Sequence, residues 1–213
     1  MIIKGYILTY LYLFLIIYIS KILNEKFKID KIYTRKFVHI YVSLVWIIMY
    51  YYFKDSYHII IPPLTFILIN YISYKKNIFK GMEEKESLGT IYYPISIFIM
   101  ALLTYINNEF YPYYAIALFC MALGDGIAPI IANKFKSKII YNNKTIFGTL
   151  TVFIISIIIT IIFNYYFELS FDILKILLIG LSAAILELIG IKGLDNLTLP
   201  LGLFIILILI GGL

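Results

Sequence analysis

The stretch 122-ALGDGIAPIIANKFKSK-138 places an aspartate between two glycines inside an otherwise apolar segment. A carboxylate at the centre of a lipid-exposed helix costs at least ~2.5–3.5 kcal/mol on insertion scales. The flanking glycines permit unusual backbone angles, and the proline that follows removes a helical hydrogen bond. Irregular backbone at such depth is tolerated only where it is buried in protein or lines a wet cavity. The stretch therefore predicts a broken or kinked helix around Gly124–Pro129, with Asp125 lining a polar pocket.

The chain as a whole is strongly apolar. Of the 213 residues, 62% are hydrophobic and 14% are charged, and the mean hydropathy is +0.95. A soluble domain of ordinary composition has about 25% charged residues. The composition excludes a soluble globular protein and predicts an all-α, polytopic membrane helical bundle that forms a single domain over residues 1–213. The single cysteine, Cys120, excludes an intramolecular disulfide.

Apolar segments of membrane-spanning length recur along the chain and predict eight transmembrane helices. The predicted spans are 5–23, 37–53, 57–73, 90–106, 112–133, 147–166, 173–190 and 198–213. Seven spans remain an alternative, because the third segment contains two prolines and the last is short. The first segment is interpreted as a retained span rather than a removed signal peptide.

Basic residues are concentrated in every second loop, chiefly 21–36, 74–89 and 134–146. The opposite side of the predicted bundle holds only Lys4, Lys54 and Lys175. Because basic short loops mark the cytoplasmic face, we expect the basic loops in the cytoplasm and the N-terminus outside. The net charge of +6 then belongs to membrane topology, and no nucleic-acid partner is expected.

Polar groups inside or beside the predicted spans fall at this same face. Asp125 and Glu187 lie near the cytoplasmic ends of the fifth and seventh spans, and Asp195 and Asn196 lie in the turn before the last span. The remaining candidates are Arg35, Lys36 and His39 beside the second span, Glu86, Gly89 and Thr90 before the fourth, and Lys134, Lys144, Thr145, Gly148 and Thr149 around the fifth loop. Structural polar residues would not be expected to sort by side, whereas the residues of one site would.

The chemistry of these side chains suits a phosphate and a hard cation. Oxygen ligands at Asp125, Asp195 and Asn196 fit Mg²⁺, which proteins often hold by one or two carboxylates together with substrate phosphates. Lys144, with Gly and Thr around it, fits a polyphosphate. Each residue also has an ordinary structural explanation, as an ion pair, a helix cap or a topology determinant. Their co-location favours a site for phosphoryl or nucleotidyl transfer.

Taken in order, five stretches resemble the CTP-dependent lipid kinase family that includes dolichol kinase, phytol kinase and the yeast-type diacylglycerol kinase. They cover a core of about 35–201: RKFVH (Arg35–His39), ESLGTIYYP (Glu86–Pro94), ALGDGIAPIIANKF (Ala122–Phe135), NKTIFGT (Asn143–Thr149) and LELIGIKGLDNLTLPL (Leu186–Leu201). The family's Lys-Ser-x-Glu-Gly-Ser pattern has Phe147 in place of its carboxylate here, which bears on nucleotide preference.

The resemblance implies transfer of the γ-phosphate of CTP, a co-substrate, to the hydroxyl of a polyprenol, a phytol-like alcohol or diacylglycerol, with Mg²⁺ or another divalent cation. In this hypothesis Lys144 and the fifth-loop backbone hold the phosphates. Asp125, in preference to Glu187, accepts the hydroxyl proton. The residues expected to orient phosphates or product are Arg35, Lys36 and His39.

Two other functions remain open from the sequence. A CTP:phosphatidate cytidylyltransferase would share the membrane-embedded use of CTP, although its longer signature of Ser, Lys-Arg, Lys-Asp and paired Gly is not visible. A small ion or solute transporter could use Asp125 and Glu187 as a cation pathway. It would, however, be expected to spread its acids across the membrane's depth and to show an inverted repeat.

Overall fold

The computed structural model of the protein describes residues 1–76 and 88–212. The elements are α1 (Ile2–Glu25), α2 (Lys31–Ser43), α3 (Val45–Phe53), a 3₁₀ turn (Tyr57–Ile60), α4 (Ile61–Lys76), α5 (Gly89–Ile106), a second 3₁₀ turn (Asn108–Phe110), α6 (Tyr111–Phe119), a π-helical segment (Cys120–Asp125), α7 (Gly126–Lys134), β1 (Ile139–Tyr141), β2 (Lys144–Thr145), α8 (Ile146–Phe167), α9 (Ile173–Ile189) and α10 (Asp195–Gly211).

Six continuous helical stretches are long and apolar enough to cross a membrane. They are Ile2–Glu25, Lys31–Phe53, Tyr57–Lys76, Gly89–Ile106, Asn108–Lys134 and Ile146–Phe167. With α9 and α10, which have 17 residues each, they make eight helical segments in the described part of the chain, one for each predicted span. The prediction of an all-α polytopic membrane bundle is confirmed. The short β1–β2 hairpin is an addition that the sequence analysis did not foresee.

Backbone contacts divide the chain into two compact units, Met1–Asn108 and Glu109–Leu213. The first contains α1 to α5, and the second contains α6 to α10 together with the hairpin. The assignment of residues 1–213 to one domain stays a prediction.

In the first unit, a side chain from α4 satisfies a backbone group that a proline leaves without its helical partner. Pro94 lies inside α5 and has no N–H to donate to the carbonyl of Thr90, four residues earlier. The Asn70 side chain donates to that carbonyl instead, at 2.7 Å. The proline is thereby accommodated at no loss of hydrogen bonding, and α4 is fixed against the start of α5.

In the second unit, α9 packs against both α8 and α10. Close approach to α8 depends on Gly180, where an added Cβ would lie 2.7 Å from the Ile157 side chain and 3.2 Å from the Phe153 carbonyl oxygen. The stretch from α6 through the π-helical segment contacts α8 and α10. Its side chains are almost all buried, from Tyr111 to Ala122. This stretch forms the core of the second unit.

The predicted break around Gly124–Pro129 is confirmed as a change of helix type. The π-helical segment ends at Asp125, and α7 begins at Gly126. Pro129, inside α7, has no N–H to donate to the carbonyl of Asp125. π-Helical turns inside α-helices are rare and are frequently found at functional sites. Here the turn sets the direction in which the Asp125 side chain leaves the backbone.

Candidate functional site

Three carboxylates from three separate elements meet inside the second unit. Asp125 ends the π-helical segment, Glu187 lies in the last turn of α9, and Asp195 begins α10. Each offers one oxygen, and these oxygens all lie within 4.8 Å of one another. Asp125 is 4% exposed and Glu187 is 2% exposed, while Asp195 is half-buried. We call these three residues the acidic cluster.

Lys144 supplies positive charge to the acidic cluster. Its Nζ donates to Oε1 of Glu187 and, at 3.0 Å, to Oδ2 of Asp195. Burial alone would lower the pKa of Lys144, but the carboxylates of Asp195, Glu187 and Asp125 outweigh it, so that the pKa is raised above its usual value. The amine is therefore charged at any physiological pH. Removing one partner of a buried ion pair typically lowers the stability of the folded protein by ~3–5 kcal/mol. Loss of either the amine or one of its acidic partners would therefore destabilise the fold.

The hairpin that carries Lys144 is specified by two asparagines. Asn142 and Asn143 connect β1 to β2 with φ of 43° and 62°. Two-residue hairpin loops of this kind require positive φ at both positions, which Asn and Gly tolerate best. The base of the hairpin is closed by a hydrogen bond of 3.0 Å from the Ile146 N–H to the Lys138 carbonyl. The tight turn thereby fixes where the Lys144 side chain enters the site.

The turn between α9 and α10 brings Asp195 close to Glu187. The N–H of Gly190 donates to the Glu187 carbonyl, and an added Cβ on Gly190 would lie 2.6 Å from the Cα, Cβ and N of Asp195. Such a contact is shorter than real Cβ atoms make, so a side chain at this position would displace the Asp195 backbone. Gly193 has a φ of 86° in the same turn. The glycines of IGIKGLD are therefore needed for the geometry of the acidic cluster.

The hydroxyl residues after Lys144 have different surroundings. Thr145 caps α8, because its Oγ1 accepts a hydrogen bond from the Gly148 N–H at 3.2 Å. Gly148 is buried, and an added Cβ there would lie 3.7 Å from both the Ala128 carbonyl oxygen and the Ala132 Cβ of α7. Thr149 lies one turn before Val152, which contacts Gly124 beside Asp125, so both occupy one face of α8. Thr145 therefore has a structural role as the cap of α8, whereas Thr149 lies on the face of α8 that packs against the π-helical segment.

Several buried oxygen atoms of the second unit have no hydrogen-bond partner among the described residues, and three of them belong to predicted site residues. These three are Oε2 of Glu187, Oδ1 of Asn196 and Oγ1 of Thr149. Asn196 is next to Asp195, and its backbone N–H donates to Oδ1 of that carboxylate at 3.1 Å. Buried oxygens normally have hydrogen-bond partners, and each one without a partner calls for an explanation, such as a role in binding an ion. A cation held by these oxygens would provide it.

The other predicted site residues belong to other elements of the chain. Lys134 is exposed at the end of α7, with its Nζ 5.5 Å from the centre of the Phe135 ring. In the first unit, Arg35, Lys36 and His39 lie on α2, and Gly89 and Thr90 begin α5. The phenol of Tyr93 donates to the His39 carbonyl at 3.0 Å, which joins α2 to α5. Glu86 lies outside the described residues. The roles of these residues stay predictions.

Sequence reasoning missed three contributors to the site. It did not assign a function to Gly190, and it noted Asn142 and Asn143 only as part of the stretch that leads into the sixth span. It also placed Glu187 as a possible proton acceptor, without foreseeing its ion pair with Lys144. The signal available for the asparagines was the Asn-Asn pair between two apolar residues and a Lys-Thr pair, which is typical of a two-residue hairpin.

Comparison with known proteins identifies relatives over nearly the whole chain. A phytol kinase from Synechocystis is 27% identical over 204 residues, which cover 90% of this chain and 84% of that protein. Phytol kinase 1 from Arabidopsis thaliana is 29% identical over 68% of this chain, and a probable phytol kinase from Triticum aestivum is 28% identical over 62%. The matches span about half the length of these two plant proteins, 52% and 47%.

No protein-family model matches the chain, and no solved structure matches it significantly. All of these relatives are phytol kinases or probable phytol kinases, and the match to the cyanobacterial protein covers 90% of this chain. The resemblance to the polyprenol and phytol kinase family is thereby confirmed, and the chain is a relative of the phytol kinases.

Proposed function

We propose that this protein is a lipid-alcohol kinase that transfers the γ-phosphate of a nucleoside triphosphate to a membrane-embedded alcohol. The observation on which the proposal rests is the acidic cluster and its ion pairs with Lys144, among the apolar helices of the second unit. The phytol kinase relatives support the same class of reaction. CTP is the proposed donor, and polyprenol, phytol-like alcohol and diacylglycerol are the proposed acceptors.

The residues present fit a divalent cation. Oxygens within 4.8 Å of one another can share an ion that binds oxygen at about 2.0–2.6 Å, and the unpartnered Glu187 and Asn196 oxygens add to the donor set. Asp125, Glu187, Asp195 and Asn196 would hold Mg²⁺ or a similar cation. When bound, this cation neutralises charge on the nucleotide phosphates.

The chain's own residues supply positioning, charge and a proton acceptor. Lys144 holds phosphate oxygens through its charged amine. As the bond between the β–γ bridging oxygen and the γ-phosphorus breaks, a new bond forms between that phosphorus and the lipid hydroxyl oxygen. The hydroxyl proton passes to a carboxylate, for which Asp125 is the proposed acceptor. The products are a lipid phosphate and a nucleoside diphosphate, so the atoms and charges balance.

The apolar composition of the chain and its charged loops suggest where each substrate lies relative to the bilayer. The hydrocarbon tail of the alcohol stays in the bilayer, while its hydroxyl reaches the acidic cluster. The concentration of basic residues in alternate loops supports a cytoplasmic location for the nucleotide-binding side, where nucleoside triphosphates are present. Phosphate-binding roles for Arg35, Lys36, His39, Glu86, Gly89 and Thr90 are proposed from the sequence stretches that contain them.

The test is a product assay with purified protein. CTP or ATP labelled at the γ-phosphate is mixed with phytol, a polyprenol or diacylglycerol in detergent, and the lipid fraction is examined for label. The proposal expects labelled lipid phosphate and release of a nucleoside diphosphate. Release of pyrophosphate with a phosphatidate acceptor would instead identify a cytidylyltransferase. Cation flux in proteoliposomes without any phosphorylated lipid would identify a transporter.

A further inference from the structure

We propose that Lys144 is a removable internal counterion, which keeps free divalent cations out of the acidic cluster until a nucleoside triphosphate draws its amine away. This inference rests on the proposed function and assigns an order of binding to that site: the cation enters with the nucleotide rather than before it.

Lys144 takes up part of the place that a cation would occupy in the acidic cluster. Lys144 pairs with Glu187 and Asp195, which are two of the three carboxylates whose oxygens surround one small volume. Its Nζ therefore occupies space that a cation bound to the same oxygens would need. An ammonium group also repels a divalent cation at such short range, and the repulsion is strong because the acids are buried. The resting site is thus occupied by a positive charge of the protein itself.

Lys144 is also placed where its amine can leave the acidic cluster. The side chain is 22% exposed, whereas that of Glu187 is 3% exposed, so the amine is at the accessible edge of the cluster. Lys144 belongs to the hairpin, whose residues Tyr141, Asn142 and Asn143 are exposed. A long, flexible lysine at such an edge can turn toward a phosphate without rearrangement of the helices that carry the acids. The phosphates of an incoming nucleotide compete with the carboxylates for this amine.

Two buried oxygens beside Lys144 lack a hydrogen-bond partner among the described residues. Lys144 bonds to Oε1 of Glu187, but Oε2 of the same carboxylate has no partner among the described residues, and neither has Oδ1 of Asn196. The lysine therefore satisfies only part of the oxygen donors of the site, and a cation would satisfy the rest.

The experiment measures Mn²⁺ binding to the purified full chain without nucleotide, by the electron paramagnetic resonance signal of free Mn²⁺. Wild type is expected to bind weakly, and Lys144→Met is expected to bind about tenfold to a hundredfold more tightly. A non-hydrolysable CTP analogue should tighten Mn²⁺ binding to the wild type by a larger factor than to Lys144→Met. Unchanged or weaker Mn²⁺ binding in Lys144→Met would overturn the proposal.

Two variants separate local from general effects. Lys138→Met removes the same charge from an exposed position on the same loop, and its Mn²⁺ affinity should equal that of the wild type. Lys144→Arg keeps the charge and should remain a weak binder. If Lys144→Met unfolds in the absence of cation, Mn²⁺ should restore its thermal transition, because the cation takes the place of the amine. Failure of excess Mn²⁺ to restore folding would contradict the proposal.

Failure of this inference is distinguishable from failure of the proposed function. If the protein is a lipid kinase but binds Mn²⁺ freely before nucleotide, labelled lipid phosphate appears and the Lys144→Met effect does not. If the protein is not a kinase, no lipid is phosphorylated, whatever the Mn²⁺ titrations give.

Discussion

The Nζ of Lys144 lies 3.0 Å from Oδ2 of Asp195, although the two residues are 51 positions apart in the chain. One is on a surface hairpin and the other begins the last helix, and Glu187 contacts the same amine. This ion pair joins the hairpin to the α9–α10 turn.

Asp125→Asn should abolish most turnover while the protein stays folded and inserted. The substitution keeps the volume and removes the charge and the proton acceptor, so kcat should fall at least about a hundredfold. Labelled lipid phosphate provides the rate, and the thermal transition in detergent provides the stability. Near-normal kcat would contradict the role given to Asp125.

Asp172→Asn is the matched control for that substitution. Asp172 caps the opposite end of α9, where its Oδ1 accepts a hydrogen bond from the Lys175 N–H at 2.8 Å. Asparagine caps helices about as well as aspartate, so neither activity nor stability should change appreciably.

Gly190→Ala should misplace Asp195 and lower activity. The new Cβ would meet the Asp195 backbone at 2.6 Å, so the α9–α10 turn must shift. Overpacking of this kind costs ~1–3 kcal/mol, and a misplacement of ~1 Å at a reacting centre can cost about a hundredfold in rate. Thermal unfolding and kcat/KM are the measurements.

Gly202→Ala is the comparison for Gly190→Ala. Its new Cβ would meet the Leu186 side chain, which can move, rather than backbone. We expect a smaller loss of stability and a rate within a few-fold of the wild type. Equal losses in both variants would contradict a specific role for Gly190.

Asn143→Val should weaken the hairpin and thereby raise the KM for nucleotide. A β-branched residue at a φ of 62° is strained, and the left-handed conformation costs ~1–2 kcal/mol. A loss of about tenfold in kcat/KM is expected, with little change in thermal stability of the helices. Asn143→Gly tolerates the same backbone and should keep the wild-type KM, so a loss of similar size in Asn143→Gly would count against this account.

The basic loops should be labelled from the cytoplasmic side. The test uses a Cys120→Ser background, because Cys120 is the single cysteine and is fully buried. Lys138→Cys should react with a membrane-impermeant maleimide in inverted vesicles, and Tyr165→Cys, whose parent residue is 88% exposed, should react in right-side-out vesicles. The reverse pattern would contradict the orientation expected from the positive charges.

Much of the fold was predictable because membrane insertion depends on local composition. A run of about 20 apolar residues must form a helix to satisfy its backbone in lipid, so hydropathy alone located the eight helical segments. The break at Gly124–Pro129 was predictable because its cause is also local. Glycine widens the range of backbone angles at its own position, and proline removes one helical hydrogen bond. The hairpin was missed because it lies in a loop too short and too polar to give a hydropathy signal.

By itself, the sequence determined that this is a polytopic membrane protein, where its helices run, and which polar residues are too costly in an apolar chain to be incidental. Only the tertiary structure decided that Asp125, Glu187 and Asp195 share one volume and that Lys144 pairs with two of them. The physical reason is that these contacts join residues 43 and 51 positions apart through turns and helix packing, which no local pattern of residues specifies.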